Sequence, residues 1–167
     1  KRGIARHQQP GDFLVVNRDD PESWRATSET LAVIVPFGLT DSGEDGAWQS
    51  GNDLLWRWRG HELRWPVPLS PALRGPHGRR NALAAIAAAM VAGSTSDAVQ
   101  RGLDGFAGVR DRMEVVGTFE GVTYINDTTA TAPVAAAAAL SALAGQPGRI
   151  HLLAGGADKK LDPAPLA

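Results

Sequence analysis

The sequence has 167 residues, of which 43% are hydrophobic and 21% are charged, and its formal net charge is −1. This composition is typical of a soluble globular protein, and the charge gives no overall field that would attract nucleic acid or an anionic membrane. The absence of cysteine excludes disulfides and thiolate metal sites and agrees with a reducing cytoplasm. No apolar run approaches the roughly 20 residues of a membrane span, and the first residues have no signal-peptide core.

Both ends of the chain indicate an internal part of a longer protein. The first residue is Lys1 rather than Met, and the last residues, DPAPLA, have the pattern of the opening turn of a helix. Neither G-x-x-x-x-G-K-S/T nor G-x-G-x-x-G occurs, so a phosphate loop, if the protein uses ATP, would precede Lys1. We therefore expect the isolated chain to be inactive.

Strands and helices alternate in the first two thirds of the chain. DFLVVNRDDP (12–21) and LAVIVPFG (31–38) are β-rich runs with the composition of buried strands. RNALAAIAAAMVA (80–92) predicts a helix that Gly93 closes, and STSDAVQRGLDGF (94–106) predicts a second helix with a Ser/Thr cap. This mixture predicts an α/β fold.

The segment 47–67 alternates with a period of two. In LLWRWRGHELRW two tryptophans share one face and two arginines share the other, which favours a hairpin that turns at Gly60–His61. An Arg/Trp alternation can also form a stacking platform for nucleic acid. The slightly negative net charge favours a hairpin that packs on a core.

The last third of the chain has the order of a second α/β unit. It comprises a strand (114–119), a turn at Glu120–Gly121, a strand (122–126), a helix (133–144) and a strand (149–154). The last three elements open a β-α-β unit, whose crossover is expected to be right-handed. In GVRDRMEVVG the pattern changes from helical to extended, and we place a domain boundary there, between 1–110 and 111–167.

A histidine and an asparagine lie near the predicted start of the first long helix. His77 and Asn81 are four residues apart in GPHGRRNALAAIAAA and would share one helix face. The Asn amide offers a donor and an acceptor together, which is the pattern that an adenine edge requires. Alternatively, Asn81 caps the helix and His77 is an ordinary surface residue.

Two basic residues follow in positions that suit anions. Arg112, in DRME, would lie in the linker, where a guanidinium can bind phosphate oxygens. Lys159, in HLLAGGADKKLD, follows a predicted strand and a Gly-Gly turn, where an ammonium suits a carboxylate or a phosphate. The alternatives are a surface salt bridge of Arg112 with Asp111 or Glu114, and a solvated charged turn.

The turn before the last predicted helix is rich in short polar side chains. In TYINDTTATAPVAA, Asp127 would lie at the carboxyl end of a strand, where α/β sheets bind ligands. Three threonines follow before Pro133 begins the helix. One side chain suffices for a helix cap, so the surplus suggests a surface that hydrogen-bonds a ribose diol or a substrate carboxylate. Alternatively, one threonine is the cap and the others have no role.

Taken in order, these motifs resemble those of the Mur ligase family. They are G-x-H-x-x-x-N-A-L-A-A, R-M-E, Y-I-N-D-x-x-A-T and L-L-A-G-G-x-x-K. The resemblance covers the whole chain. It implies the second half of a Rossmann-like central ATPase domain (1–110), followed by the first β-α-β part of a Rossmann-like C-terminal domain that binds an amino acid (111–167).

The resemblance also implies a function. Members of the family phosphorylate a carboxylate with ATP and Mg²⁺, and the amine of an amino acid then attacks the acyl phosphate. The most similar form adds D-glutamate to UDP-N-acetylmuramoyl-L-alanine, a cytoplasmic peptidoglycan precursor, without nucleic-acid or membrane partners. The alternatives are another Mur-type ligase, such as a folylpolyglutamate synthetase, and a non-catalytic nucleotide-binding module.

Carried over residue by residue, the family's motifs imply a nucleotide site and a metal site. Asn81, with His77 near it, would contact adenine, Arg112 would reach the nucleotide and Asp127 would hold the ribose. Lys1, in K-R-G-I ahead of N-R-D-D-P, would be carbamylated, catalytic and responsible for positioning magnesium.

The same comparison implies an amino-acid site and shows three departures, of which one is Gly78 where the family often has asparagine in G-x-H-N. Thr131 would lie near the incoming D-glutamate, and Lys159 would reach its carboxylate, with Lys160 as the alternative register. Asp111 stands where the family usually has histidine in H-R-x-E, and Thr129 stands where many members have lysine in D-S-K-A-T.

Overall fold

The computed structural model describes residues 3–68, 73, 75–157 and 160–166. It has the mixed α/β class that the sequence predicts, and the chain divides into two compact units. The first unit comprises 1–69 and 78–106, and the second comprises 70–77 and 107–167.

A five-stranded sheet is the centre of the first unit, and its strands lie side by side in chain order. The strands are β1 (Phe13–Asn17), β2 (Val33–Phe37), β3 (Gly46–Ser50), β4 (Asp53–Trp58) and β5 (His61–Pro66). β1, β2 and β3 are parallel, and β3, β4 and β5 are antiparallel. Asn17 pairs with Phe37, so the carboxyl ends of β1 and β2 meet at one edge of the sheet.

Four described α-helices lie before, between and after these strands along the chain. They are α1 (Gly3–Arg6), α2 (Pro21–Trp24), α3 (Gly75–Val91) and α4 (Ser96–Asp104). Thr95 caps α4 by accepting a hydrogen bond from the Ala98 amide, which confirms the predicted Ser/Thr cap. The predicted start of α3 at residue 80 is wrong, since the helix begins five residues earlier at Gly75, with a proline in its first turn.

The β4–β5 hairpin packs its tryptophans on the core. Trp56 is buried, its ring stacks on that of Trp58 at 5.3 Å between centroids, and Trp65 is 1% exposed. The Trp65 indole N–H donates to the Ser96 carbonyl at 3.1 Å, so the ring satisfies its polar atom while its apolar body is buried. The turn lies at Arg59–Gly60, where both residues have positive φ, and not at the predicted Gly60–His61.

The opposite face of this hairpin carries a charged contact. Arg57 donates to both carboxylate oxygens of Asp41 at 3.2 and 3.1 Å, and its guanidinium lies 4.4 Å from the centroid of the Trp48 ring. The hydrogen bond from Arg57 lowers the pKa of Asp41, and the same bond raises the pKa of Arg57. Of the two arginines predicted on this face, Arg57 therefore serves the fold by anchoring the loop that follows β2.

The second unit contains a hairpin and a helix. β6 (Glu114–Phe119) and β7 (Val122–Asn126) are antiparallel and are joined by the predicted turn at Glu120–Gly121, where both residues have positive φ. Helix α5 (Pro133–Leu143) follows, and a short 3₁₀ turn spans Ala164–Leu166.

The strand predicted at 149–154 does not form. The run has the apolar composition of a buried strand, yet Ile150 and Leu152 are each 50% exposed and Leu153 is 97% exposed. A strand requires a neighbour to complete its hydrogen-bond ladder, and within the described part of the second unit β6 and β7 pair with each other. The predicted β-α-β unit is therefore present as a strand and a helix without the second parallel strand.

Among the described helices, we find none with the length and apolar content that crossing a membrane requires.

The core of the first unit can be tested with a matched pair of leucines. Leu54 is fully buried and Leu31 is 70% exposed. Leu54→Ala should lower the free energy of unfolding by about 2–5 kcal/mol because it leaves a cavity, whereas Leu31→Ala should change it by less than about 0.5 kcal/mol. Urea unfolding followed by tryptophan fluorescence measures this, since all five tryptophans lie between positions 24 and 65. Equal effects of the two substitutions would contradict the assignment of the core.

Candidate functional site

One carboxylate joins the carboxyl ends of β1 and β2 to helix α3. Asp19 follows β1, and its Oδ2 accepts a hydrogen bond from the Leu39 amide at 2.8 Å and one from Arg80 Nε at 3.3 Å. Its Oδ1 lies against Gly38, where an added Cβ would come within 2.6 Å of that oxygen. Asp19 therefore fixes α3 at the edge of the parallel strands where α/β sheets bind ligands.

Helix α3 carries His77 and Asn81, and both are inside the helix. Their spacing of four residues puts them on one face, with His77 half-buried and Asn81 exposed. The alternative that Asn81 caps the helix is wrong, because the helix begins six residues before it. Arg80, held by Asp19, is the neighbour of Asn81, so the ion pair bears on the turn of α3 that carries Asn81.

A short segment at 111–114, which we name the strap, positions Arg112 in the second unit. The residues on either side of Arg112 have left-handed backbone, with φ of 61° at Asp111 and 47° at Met113. Left-handed conformations of this kind cost about 1–3 kcal/mol each in non-glycine residues and persist only where the surroundings enforce them. Arg112 itself is exposed.

The turn after β7 holds the strap. The Asp127 carboxylate accepts a hydrogen bond from the Met113 amide at 3.0 Å through Oδ1, so Arg112 and Asp127, fifteen positions apart in the sequence, belong to one hydrogen-bonded assembly. Asp127 is half-buried. The structure therefore brings together two of the residues that the sequence analysis selected separately.

The threonines of this turn do not cap helix α5. The cap position is Ala132, which makes no side-chain hydrogen bond, and Pro133 begins the helix. Thr129 instead donates to the Asp111 carbonyl through Oγ1 at 2.9 Å, and Thr131 is exposed with its amide bonded to the Thr129 carbonyl at 2.9 Å. The alternative of one threonine as the cap is wrong.

Two of the predicted site residues lie outside the described part of the chain. These are Lys1, the predicted carbamate, and Lys159, the predicted carboxylate ligand. Lys160, the alternative register, is exposed and has a φ of 54°. Within the described ranges, no group of three or more His, Asp or Glu side chains is placed to hold a metal ion.

Sequence reasoning missed the residues that support the strap. The Asn126 amide Nδ2 donates to Asp111 Oδ1 at 2.8 Å, and the Asp111 amide donates to Glu114 Oε2 at 2.8 Å. Asn126 directly precedes Asp127 in the quoted motif, but a polar residue at the end of a strand does not by itself reveal a partner fifteen positions away. The contact accompanies the left-handed backbone at Asp111, and no local sequence pattern predicts that conformation.

Comparison with known proteins places these motifs in a family. The family described as "Mur ligase, glutamate ligase domain" matches residues 111–166. A UDP-N-acetylmuramoylalanine--D-glutamate ligase of Limosilactobacillus fermentum is 40% identical over 95% of this chain and 33% of its own length. The protein of the same name from Symbiobacterium thermophilum is 37% identical over 100% of this chain and 36% of its own length. The chain thus spans about a third of the length of these relatives.

The fold has counterparts among solved structures. A crystal structure of MurF from Acinetobacter baumannii aligns with a TM-score of 0.70 and 22% sequence identity, over 89% of this chain and 32% of that one. Likeness at this level of identity concerns the fold alone. The ordered motifs, the identity of 37–40% to these two relatives along 95% or more of this chain, and the match of residues 111–166 agree with one another, and the chain resembles the Mur ligases along nearly its whole length.

Proposed function

We propose that the protein containing this chain is an ATP-dependent amide-bond ligase that adds D-glutamate to UDP-N-acetylmuramoyl-L-alanine through an acyl phosphate. The reaction belongs to peptidoglycan precursor synthesis, and its nucleotide-linked substrate suits a cytoplasmic enzyme. The observation that carries the proposal is the hydrogen bond between Met113 and Asp127, which joins Arg112 and Asp127 in one assembly. The relatives that match 95% or more of the chain at 37–40% identity bear the D-glutamate ligase name, which disfavours a folylpolyglutamate synthetase or a non-catalytic module.

Four residues suit ATP by their chemistry. The exposed Asn81 amide offers the donor and acceptor that an adenine edge requires, and His77 lies one helical turn before it. The exposed Arg112 guanidinium suits phosphate oxygens. Asp127 accepts the Met113 amide through Oδ1, and within the described residues no hydrogen bond reaches its Oδ2, which could accept one from a ribose hydroxyl.

The remaining roles concern the metal and the amino acid. A carbamate on Lys1 would supply the oxygen ligands that Mg²⁺ prefers, and Mg²⁺ when bound would neutralise the charge of the transferred phosphoryl group. Lys159 would offer an ammonium to the carboxylate of D-glutamate, and the Thr131 hydroxyl would contact the same amino acid. Arginine, lysine and magnesium together would supply the positioning and charge neutralisation on which phosphoryl transfer depends.

The reaction itself is the first test. The full-length protein should release phosphate from ATP only when both UDP-N-acetylmuramoyl-L-alanine and D-glutamate are present, and mass spectrometry should detect the nucleotide-linked dipeptide product. L-Glutamate is the matched control and should give no product. Phosphate release that does not depend on D-glutamate, or glutamylation of a folate, would contradict the proposal.

The division between nucleotide and amino-acid residues is the second test. Asp127→Ala should raise the KM for ATP while the KM for D-glutamate stays nearly constant, and Lys159→Ala should do the reverse. A charge-assisted contact contributes about 1.5–3 kcal/mol, so the D-glutamate KM of Lys159→Ala should rise roughly 10- to 150-fold.

Steady-state kinetics of the full-length variants measure both constants, and Lys160→Ala is the control for register. A D-glutamate defect in Lys160→Ala alone would shift the assignment to Lys160. A normal KM in both lysine variants would show that neither side chain binds the carboxylate.

A further inference from the structure

Two of the three departures from the common family motifs contact each other in this structure. Asp111 replaces the usual histidine of the linker motif, and Thr129 replaces the frequent lysine of the turn motif. Thr129 donates to the Asp111 carbonyl twice, through its hydroxyl at 2.9 Å and through its amide at 3.1 Å. Two of the residues that set this chain apart are thus hydrogen-bond partners.

A second side chain, that of Asn126, also binds the strap. Asn126 donates through Nδ2 to Asp111 Oδ1 at 2.8 Å, and its own Oδ1 accepts from the Thr128 amide at 3.2 Å. One side chain therefore bonds to the strap and to the turn that carries Asp127. The salt bridge between Arg110 and Asp111 contributes little by comparison, because its atoms are 3.8 Å apart and Arg110 is 88% exposed.

These bonds hold a backbone that would not otherwise be stable. Asp111 and Met113 both have left-handed φ, and Arg112 lies between them, so its direction depends on both. Asn126 and Thr129 fix the first of these residues, and Asp127 fixes the second. Loss of the contacts to Asp111 should let the strap relax towards ordinary backbone and turn the guanidinium away.

We propose that Asn126 and Thr129 are positioning residues that act through Asp111 to hold Arg112 in its nucleotide-binding position. That the ligand of Arg112 is a nucleotide rests on the proposed function. That Asn126 and Thr129 hold the strap does not, since it follows from their hydrogen bonds to Asp111 alone. A purely stabilising role would lower the amount of folded protein and change the affinity for neither substrate, whereas a positioning role weakens binding of the nucleotide selectively.

Thr129 offers a matched series of variants in the full-length protein. Thr129→Val removes the hydroxyl at nearly constant size and should weaken binding of a non-hydrolysable ATP analogue by about 5- to 10-fold, as expected for one lost hydrogen bond. Thr129→Ser keeps the hydroxyl and should restore affinity. Asn126→Asp, which places a carboxylate opposite that of Asp111, should weaken the analogue at least as much.

Thr123→Val is the control. It makes the same chemical change in the same unit and also breaks a hydroxyl contact, the 3.2 Å one with Thr118 on the hairpin, but it does not touch the strap. We expect unchanged affinity for the analogue in this variant, and an unchanged KM for D-glutamate in all four.

Three measurements separate the outcomes. They are calorimetry of analogue binding, steady-state kinetics with D-glutamate, and hydrogen exchange of the backbone amides at 111–114. The proposal is upheld if Thr129→Val weakens the analogue and speeds exchange in the strap, while Thr129→Ser and Thr123→Val do neither. It is overturned if Thr129→Val lowers only the melting temperature, if Thr123→Val has the same effect, or if the wild type does not bind the analogue. Binding and exchange that follow the expected pattern in a protein without D-glutamate ligation would overturn the proposed function and leave the positioning role standing.

Discussion

The hydrogen bond from the Met113 amide to the Asp127 carboxylate is the contact on which the candidate site depends. It fixes a left-handed residue next to Arg112 and leaves one carboxylate oxygen of Asp127 for a ligand. Because each left-handed residue costs about 1–3 kcal/mol, the strap needs several contacts to persist, and the turn after β7 supplies them. The same side chain is thus both a support of the backbone and a candidate ligand of the ribose.

In the first unit, an ion pair rather than a backbone hydrogen bond places a segment that carries a candidate site residue. Asp19 bonds to the loop after β2 and to Arg80 on α3, with side-chain exposures of 24% for Asp19 and 35% for Arg80. An ion pair as exposed as this contributes little to stability. Its effect is geometric, because it places the turn of α3 that carries Asn81 at the carboxyl edge of the parallel strands.

The elements that depend on local pattern were predictable from the sequence, and those that depend on distant partners were not. The order of strand, Glu120–Gly121 turn and strand predicted the β6–β7 hairpin because both the turn and the strands are local. The predicted start of α3 was five residues late because the alanine-rich pattern begins only at residue 80, whereas the helix begins at Gly75 with Pro76 in its first turn, where proline is favoured. The run at 149–154 has the composition of a strand, but composition does not provide the neighbour that a strand requires. Arg112 and Asp127 were selected by motif, while Asn126 was missed because its partner lies on a segment with unusual backbone.

The account is tested most directly by the exchange rate of the Met113 amide in the full-length protein. If this amide donates to Asp127, it should be protected in the wild type and should exchange faster by about tenfold in Asp127→Ala, while the amides that pair β6 with β7 keep their protection. An amide that exchanges at the unprotected rate in the wild type, or at the same rate in both proteins, would contradict the account.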